Sequence, residues 1–122
     1  MASTSEKGRH AEDIAVQALH TLGYEIVERN WRSDAGEIDI VARYGEKLVF
    51  VEVKARTGTA FGEPEEAITP EKQERLLAAA ALYVAENCEG CPWRIDVIAM
   101  RFAASGRVER RTHYENAVQA GW

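Results

Sequence analysis

The sequence lacks several features that would place it in a specialised class of protein. No apolar run approaches the roughly 20 residues of a membrane-spanning helix, and the polar start of the chain contains no apolar signal-peptide core. Internal repeats and low-complexity segments are also absent from the 122 residues. We therefore expect a cytoplasmic protein that has no membrane partner.

Cysteine is scarce, with 2 residues that form the motif Cys88-x-x-Cys91. The chain has no second cysteine pair and no His-x-x-x-His, so a structural zinc site would lack its other ligands. A thioredoxin-type motif opens a helix after a strand, whereas this pair falls where a helix is predicted to end. We expect a loop that carries two reduced thiols.

An excess of basic residues is missing as well. The chain has 15 lysines and arginines against 20 acidic residues, which gives a formal net charge of −5. A protein that binds nucleic acid mainly through its overall charge is usually basic. Any binding of phosphate by this chain must therefore depend on a local basic patch or on a metal ion, and salt should weaken it.

The residues that are present predict one globular α/β domain over residues 1–122. Hydrophobic residues make up 46% of the chain and charged residues 29%, as in ordinary globular proteins. A capping box at Ser3-x-x-Glu6 predicts a helix whose apolar face includes Ala11, Ala15 and Leu22, and Gly23 ends it. Thr69-Pro70 predicts a second helix to about Asn87. Strands are predicted over residues 24–31, 36–42, 48–54, 93–100 and 108–114, the last at an edge. The resulting order is a mixed sheet covered by helices.

The hairpin formed by the second and third strands contains charges in unexpected places. Glu52 and Lys54 share a strand face with apolar residues, and ionised groups leave water only at a cost unless they are paired. If the hairpin turns symmetrically about Gly45-Glu46, Asp39 lies directly opposite Glu52, and Glu37 directly opposite Lys54. A turn longer by one residue would send Asp39 to the other face.

Two carboxylates at that separation repel each other unless a proton or a cation lies between them. Mg²⁺ suits such a pair, because it binds one or two carboxylates and keeps its other positions for water and phosphate oxygens. The alternative is a solvated sheet face, with Glu37 and Lys54 as an ordinary cross-strand ion pair. Since the other residues of this face are apolar, we favour a metal site at Asp39 and Glu52.

Several further residues are candidates for the same site. Glu12 lies at the edge of the apolar face of the first helix and could point into a cleft, unless it pairs with Arg9 or faces solvent. Arg56 belongs to a predicted loop over residues 55–64 that would border the site. Lys72, Gln73 and Arg75 lie in the first turns of the second helix and are candidate phosphate contacts, with a solvated flank as the alternative. We expect Asp96 to pair with Arg94 or with the hairpin.

Four short motifs give the chain a recognisable resemblance. They are Gly8-Arg9-x-Ala11-Glu12, Gly36-Glu37-Ile38-Asp39-Ile40-Val41-Ala42, Phe50-Val51-Glu52-Val53-Lys54 and Arg94-Ile95-Asp96-Val97. Together they resemble the YraN-like family of uncharacterised bacterial proteins, over residues 8–117. The E…D…ExK order also resembles the restriction-endonuclease-like PD-(D/E)xK nucleases, which include Holliday-junction resolvases. That resemblance implies an αβββαβ core with a mixed central sheet flanked by helices.

The resemblance also implies roles for individual residues. Asp39, Glu52 and the Val53 carbonyl would bind Mg²⁺ or Mn²⁺, and Glu12 would complete the metal shell or assist a second ion. Lys54 would orient or help deprotonate the attacking water and stabilise charge on the phosphate. Arg9, in the first motif, would join Arg56, Lys72, Gln73 and Arg75 as nucleic-acid contacts.

The leading hypothesis from the sequence is a metal-dependent endonuclease that acts on branched or structured DNA. A homodimer would suit the two cuts that a symmetric junction requires. The alternative is a non-catalytic nucleic-acid-binding or adaptor protein that keeps the nuclease fold.

Overall fold

The computed structural model describes residues 6–60 and 62–119, which form two helices and a single sheet. The elements in chain order are α1 (Glu6–Thr21), β1 (Glu25–Ser33), β2 (Gly36–Tyr44), β3 (Lys47–Thr57), a 3-10 turn (Pro64–Ala67), α2 (Pro70–Asn87), β4 (Trp93–Phe102) and β5 (Val108–Val118). The predicted α/β class, with the order helix, three strands, helix, two strands, is confirmed. Ser3 of the predicted capping box lies outside the described residues.

The sheet has the spatial order β1-β2-β3-β4-β5, so β1 and β5 are its edges. β3 pairs with β4 in parallel, and the other neighbouring strands are antiparallel. The mixed sheet predicted from the sequence is therefore confirmed, and so is the position of β5 at an edge. β3 and β4 can run parallel because the chain between them crosses over through α2.

The two helices cover opposite faces of the sheet and divide the core into two halves. α1 packs through Ala11, Ala15 and Leu19 against Val49 and Val51 of β3. The other half contains side chains from α2 and from the opposite face of the sheet, among them Leu76, Ala80, Val84, Leu48 and Phe50. Alternation along β3 sends its even-numbered side chains to α2 and its odd-numbered ones to α1.

Two sequence expectations about element ends are corrected. Leu22, predicted in the apolar face of α1, is 58% exposed because the helix ends at Thr21 and the chain turns away through Gly23, whose φ is +93°. The loop predicted from residue 55 begins later, because β3 continues its parallel pairing with β4 as far as Thr57 opposite Phe102. Arg56 is therefore a strand residue.

The segment after β3 is tied to the far edge of the sheet by charged side chains. Glu63 accepts hydrogen bonds from Arg101 at 2.8 Å and from Arg110 at 2.8 Å. Glu65, in the 3-10 turn, accepts from Arg110 at 2.7 Å and from the Tyr114 hydroxyl at 2.8 Å. These contacts join the turn to β4 and β5 and fix the chain between the end of β3 and the start of α2.

Candidate functional site

A polar cleft of about 300 Å³ lies where the first turns of α1 and α2 meet the end of β3. Its lining includes both ends of the predicted hairpin site together with residues of each helix: Gly8, Ala11, Glu12, Glu37, Asp39, Glu52, Val53, Lys54, Ala55 and Lys72. The chain thus brings together Glu12, Asp39, Glu52 and Lys54, which come from three different elements.

The cleft opens because β2 and β3 stop pairing. Tyr44 pairs with Lys47, as the symmetric turn predicted, and the ladder continues to Ile40 opposite Val51, where it ends. Ile38 and Ile40 lie in different halves of the core although they are two residues apart, so the alternation of β2 is interrupted around Asp39.

Asp39 replaces the missing strand pairing with a side-chain contact. Its Oδ2 accepts a hydrogen bond from the backbone N–H of Val53 at 2.8 Å. The sequence predicted that Asp39 and Glu52 lie directly opposite each other in the ladder, but the ladder ends before them. Their side chains are nevertheless in contact where the two strands separate.

Burial and the charge of Glu52 together raise the pKa of Asp39 from its ordinary value of 3.8 to about 8. The hydrogen bond from Val53 acts in the opposite direction but is the weaker influence. At neutral pH, without a bound cation, the Asp39 carboxyl is therefore mostly protonated. This proton relieves the repulsion that the sequence predicted for two ionised carboxylates.

Glu52 is almost fully buried and is neutralised by two lysines. Lys54 Nζ and Lys72 Nζ each lie 3.3 Å from its Oε2, and the Glu52 side chain is 3% exposed. Lys54 belongs to the same strand, whereas Lys72 reaches across from the first turn of α2. The sequence predicted Lys72 as a phosphate contact but gave no indication of this pairing, because the two residues are 20 positions apart.

Glu12 of α1 lines the cleft and is only 4% exposed. Its buried Oε1 makes no hydrogen bond among the described residues and has Arg29 as a neighbour at 3.5 Å. The same arginine donates a hydrogen bond of 2.8 Å to Asp13, so it is aimed at that exposed acid instead. Glu12 is therefore a buried carboxylate in the cleft whose Oε1 forms an ion pair with Arg29 but accepts no hydrogen bond among the described residues. Arg29 is a neighbour of the site that the sequence reading missed, since nothing in β1 singles it out.

The predicted pair of Glu37 and Lys54 is not formed. Glu37 lies opposite Arg32 in the β1–β2 ladder and forms its ion pair with that arginine at 3.3 Å, while Lys54 contacts Glu52. The reason is the separation of the strands, which ends the β2–β3 ladder before Glu37 and leaves β1 as its neighbour.

Of the predicted nucleic-acid contacts, Lys72 lines the cleft and the other four do not. Arg9 is exposed on α1, and Arg75 is exposed on α2, where it lines a small pocket next to the cleft. Arg56 is half-buried on β3, two residues beyond Lys54. Gln73 donates a hydrogen bond of 3.1 Å to the Ile68 carbonyl and lines a different cavity, so the structure does not bring it to the cleft.

Asp96 forms a separate, fully satisfied cluster in the sheet. It is fully buried and accepts hydrogen bonds from Arg94 at 3.0 Å and from the Asn116 N–H at 2.9 Å. His113 Nε2 lies 2.8 Å from its other oxygen. Burial would raise the pKa of Asp96, but these partners outweigh it and hold the pKa below its usual value. The predicted pairing with Arg94 is confirmed, and the role is structural.

The expectation of reduced thiols is wrong, because Cys88 and Cys91 form a disulfide. The turn after α2 brings their Cα atoms to 5.5 Å, within the usual range for such a bond. A hydrogen bond of 2.9 Å from the Cys91 N–H to the Cys88 carbonyl closes the same turn.

The residues of the cleft fit a hard divalent cation held by few protein ligands. Within residues 6–60 and 62–119, no group of three or more His, Cys, Asp and Glu side chains is arranged to hold a metal ion. Mg²⁺ and Mn²⁺ do not require one, because one or two carboxylates suffice when water and phosphate supply the remaining oxygens. Asp39 and Glu52 would be those carboxylates, and the unbonded Glu12 Oε1 is an acceptor still available to an ion or its water.

Fold and site together define a class: an α/β protein with a mixed five-stranded sheet and a buried acid–lysine cleft at its centre. Among the described residues, no helix is long and apolar enough to cross a membrane. The sequence model of the uncharacterised protein family UPF0102 matches residues 11–100, and the chain belongs to that family. The YraN-like resemblance is thereby confirmed.

Several relatives in this family align over most of their length. A UPF0102 protein of Beutenbergia cavernae is 49% identical over 105 residues, which cover 84% of this chain and 89% of the relative. One from Rhodococcus jostii is 45% identical over 103 residues, covering 82% and 86%. One from Pelotomaculum thermopropionicum is 44% identical over 111 residues, covering 90% and 92%.

Proposed function

We propose that this protein is a cytoplasmic, divalent-metal-dependent endonuclease that hydrolyses phosphodiester bonds in branched or structured DNA. The observation that supports it best is the contact between Asp39 and Glu52 in a cleft that also contains Lys54. Glu52 is buried and Asp39 is half-buried, so the two carboxylates in contact are unstable as a doubly charged pair, and a cation in place of the proton would relieve that repulsion. The preference for branched DNA comes from the resemblance to resolvases.

Each residue of the cleft has a role in this proposal. Asp39, Glu52 and the Val53 carbonyl would hold Mg²⁺ or Mn²⁺, and Glu12 would complete the metal shell or assist a second ion. The ion would supply charge stabilisation at the phosphate and lower the pKa of the attacking water. Lys54 orients that water and stabilises charge on the phosphate oxygens. Burial of Glu52 keeps bulk water from screening these interactions.

The test is an assay with labelled four-way junction, flap, single-stranded and duplex DNA, in Mg²⁺, Mn²⁺ or EDTA at low salt. Asp39→Asn keeps the shape of the side chain but can no longer ionise to bind a cation, so we expect at least a 100-fold loss of cutting rate, and Lys54→Met should cause a similar loss. Glu46→Gln, in the exposed turn of the same hairpin, is the matched control and should cut at the wild-type rate.

Cutting that survives both Asp39→Asn and Lys54→Met would place the chemistry elsewhere and contradict the proposal. Junction binding without cutting in either metal would favour the second candidate, a non-catalytic nucleic-acid-binding or adaptor protein. The pairing of Glu52 with two lysines is the observation that speaks for that candidate, because it satisfies the buried charge without a metal.

A further inference from the structure

Two ammonium groups share one carboxylate oxygen at the centre of the cleft. Lys54 and Lys72 both place Nζ 3.3 Å from Glu52 Oε2, and their side chains are 28% and 33% exposed. One lysine would neutralise Glu52. The second therefore adds positive charge where the proposed function requires a divalent cation.

The position of Lys72 in α2 is not explained by the helix itself. It is the third residue of α2, and its backbone N–H donates to the Thr69 side chain at 3.2 Å, which caps the helix. The N-terminal end of a helix carries a partial positive charge, so a lysine there is disfavoured and an acid is preferred. What compensates is the contact with Glu52, which lies across the cleft on β3.

The Lys72 side chain also has a second pocket that it could occupy. It lines the main cleft and, with Gly36, Glu37, Arg75 and Leu76, a neighbouring pocket of about 130 Å³. That pocket opens beside Glu37, whose side chain is 54% exposed. A lysine side chain is a point charge on a flexible four-carbon stem, so it can leave Glu52 without any movement of α2.

We propose that Lys72 is a built-in counter-ion, which neutralises Glu52 in the metal-free protein and contacts a substrate phosphate once a divalent ion has taken its place. The inference rests on the proposed nuclease function and adds a switch to it. A divalent ion and an ammonium group cannot share Glu52 Oε2 without strong repulsion. Lys54, two residues along the same strand, stays beside the site, whereas Lys72 is released towards the DNA backbone.

Metal binding is the first test. We would titrate Mn²⁺ by calorimetry into the wild type, Lys72→Gln and Arg75→Gln, with thermal unfolding in EDTA as a check of folding. Removing the competing ammonium group should make Lys72→Gln bind Mn²⁺ roughly 3- to 10-fold more tightly. Arg75→Gln loses the same charge one turn later in α2 but makes no ion pair with Glu52, so it should stay within about twofold of the wild type.

DNA binding is the second test. It distinguishes release of Lys72 from Glu52 on metal binding from a permanent ion pair between the two residues. Affinity for a four-way junction would be measured in EDTA and in Ca²⁺, with the DNA checked for cutting on a denaturing gel. Lys72→Gln should match the wild type within about twofold in EDTA, where the lysine is held by Glu52, and should lose most of the gain that Ca²⁺ gives the wild type. Arg75→Gln should weaken binding by the same factor in both conditions.

The outcomes separate this inference from the nuclease proposal. Equal Mn²⁺ affinities of Lys72→Gln and Arg75→Gln would overturn it, and so would a loss of DNA affinity in Lys72→Gln that is the same with and without Ca²⁺. If both tests succeed but no DNA is cut, the counter-ion role stands and the nuclease proposal fails. If neither the wild type nor Lys72→Gln binds Mn²⁺, the inference is wrong.

Discussion

At the scale of single residues, Asp39 shows how this cleft opposes full ionisation of its acids. Its environment is set by burial, by the charge of Glu52 and by the hydrogen bond from Val53, in that order of influence on its pKa. The result, a pKa of about 8, means that the folded protein retains a proton that the unfolded chain has already lost.

This proton gives a prediction for stability against pH in the absence of metal. Because the folded pKa of Asp39 lies above the unfolded one, the folded state binds more protons between about pH 4 and pH 8, and the free energy of unfolding falls as pH rises. Asp39→Asn should lack this decline, so its stability relative to wild type should increase from pH 5 to pH 8. Urea unfolding in EDTA measures it.

Glu46→Gln serves as the control, because it removes an acid from the same hairpin without entering the cleft, and its pH dependence should follow the wild type. Parallel curves for Asp39→Asn and the wild type would show that Asp39 is already ionised at neutral pH.

The sequence was sufficient to find Asp39, Glu52 and Lys54, because a two-residue turn and strict alternation along β3 fix which side chains share a face. It could not find the contact of Lys72 with Glu52, which depends on how α2 packs over the sheet. The same holds for Arg29 beside Glu12, since that neighbour is set by the packing of α1 against β1.

At the scale of secondary-structure elements, the 3-10 turn Pro64–Ala67 is attached to the sheet through charges rather than through a large apolar surface. Glu65 contacts Arg110 of β5, and this hydrogen bond is the main reason why the pKa of Glu65 falls to about 2. The turn lies between the last strand residue near the cleft and the first turn of α2. Its attachment therefore influences where α2 begins.

We predict that Glu65→Gln destabilises the protein at pH 7, by about 1 kcal/mol for a partly exposed charged network. The folded pKa of Glu65 lies below the unfolded one, so its contribution is complete above about pH 4.5 and is lost as pH falls towards 2. Thermal unfolding of the variant and the wild type should therefore converge in acid.

Glu89→Gln, in the exposed loop after α2, is the matched loss of one acid and should change stability little at either pH. If the difference in stability between Glu65→Gln and the wild type stays the same at pH 2 to 3, packing of the side chain and not its charge holds the turn against the sheet.

The sequence predicted the existence and order of the elements better than their ends. The periodicity of α2 and the cap at Thr69 are local signals, and both are confirmed. The extension of β3 to Thr57 depends on its partner β4, more than 40 positions away, and has no local signal. For the same reason, the parallel pairing of β3 with β4 was not predictable from the hairpin alone.

At the scale of the whole molecule, the net charge of −5 means that the proposed binding of nucleic acid must depend on a local group of basic residues. The candidate cations around the cleft are few, and the rest of the surface repels phosphate at long range. Binding of DNA should therefore be weak in high salt and confined to the side of the molecule where α1 and α2 begin.

This gives a prediction for salt dependence. If three or four phosphates are neutralised, the affinity for duplex DNA should fall roughly 40- to 150-fold between 50 and 200 mM salt. Arg75→Gln should reduce the slope of log K against log salt by about 1. Fluorescence anisotropy over a salt series measures both quantities.

Lys47→Gln, at the opposite end of β3, removes an equal charge and should leave the slope unchanged. A slope near zero, or one that Lys47→Gln lowers as much as Arg75→Gln does, would rule out a localised basic contact beside the cleft.

The separation of β2 from β3 after Ile40 and Val51 has a consequence for how this chain tolerates mutation. The paired part of the β2–β3 ladder and both halves of the core supply the cooperative stability of the fold. The acids and lysines of the cleft lie beyond the end of that ladder, where the two strands are no longer hydrogen-bonded to each other. We therefore expect substitutions in the cleft to leave a folded protein even where they abolish the proposed activity. The proposed chemistry and the stability of the fold would then be open to separate change by mutation.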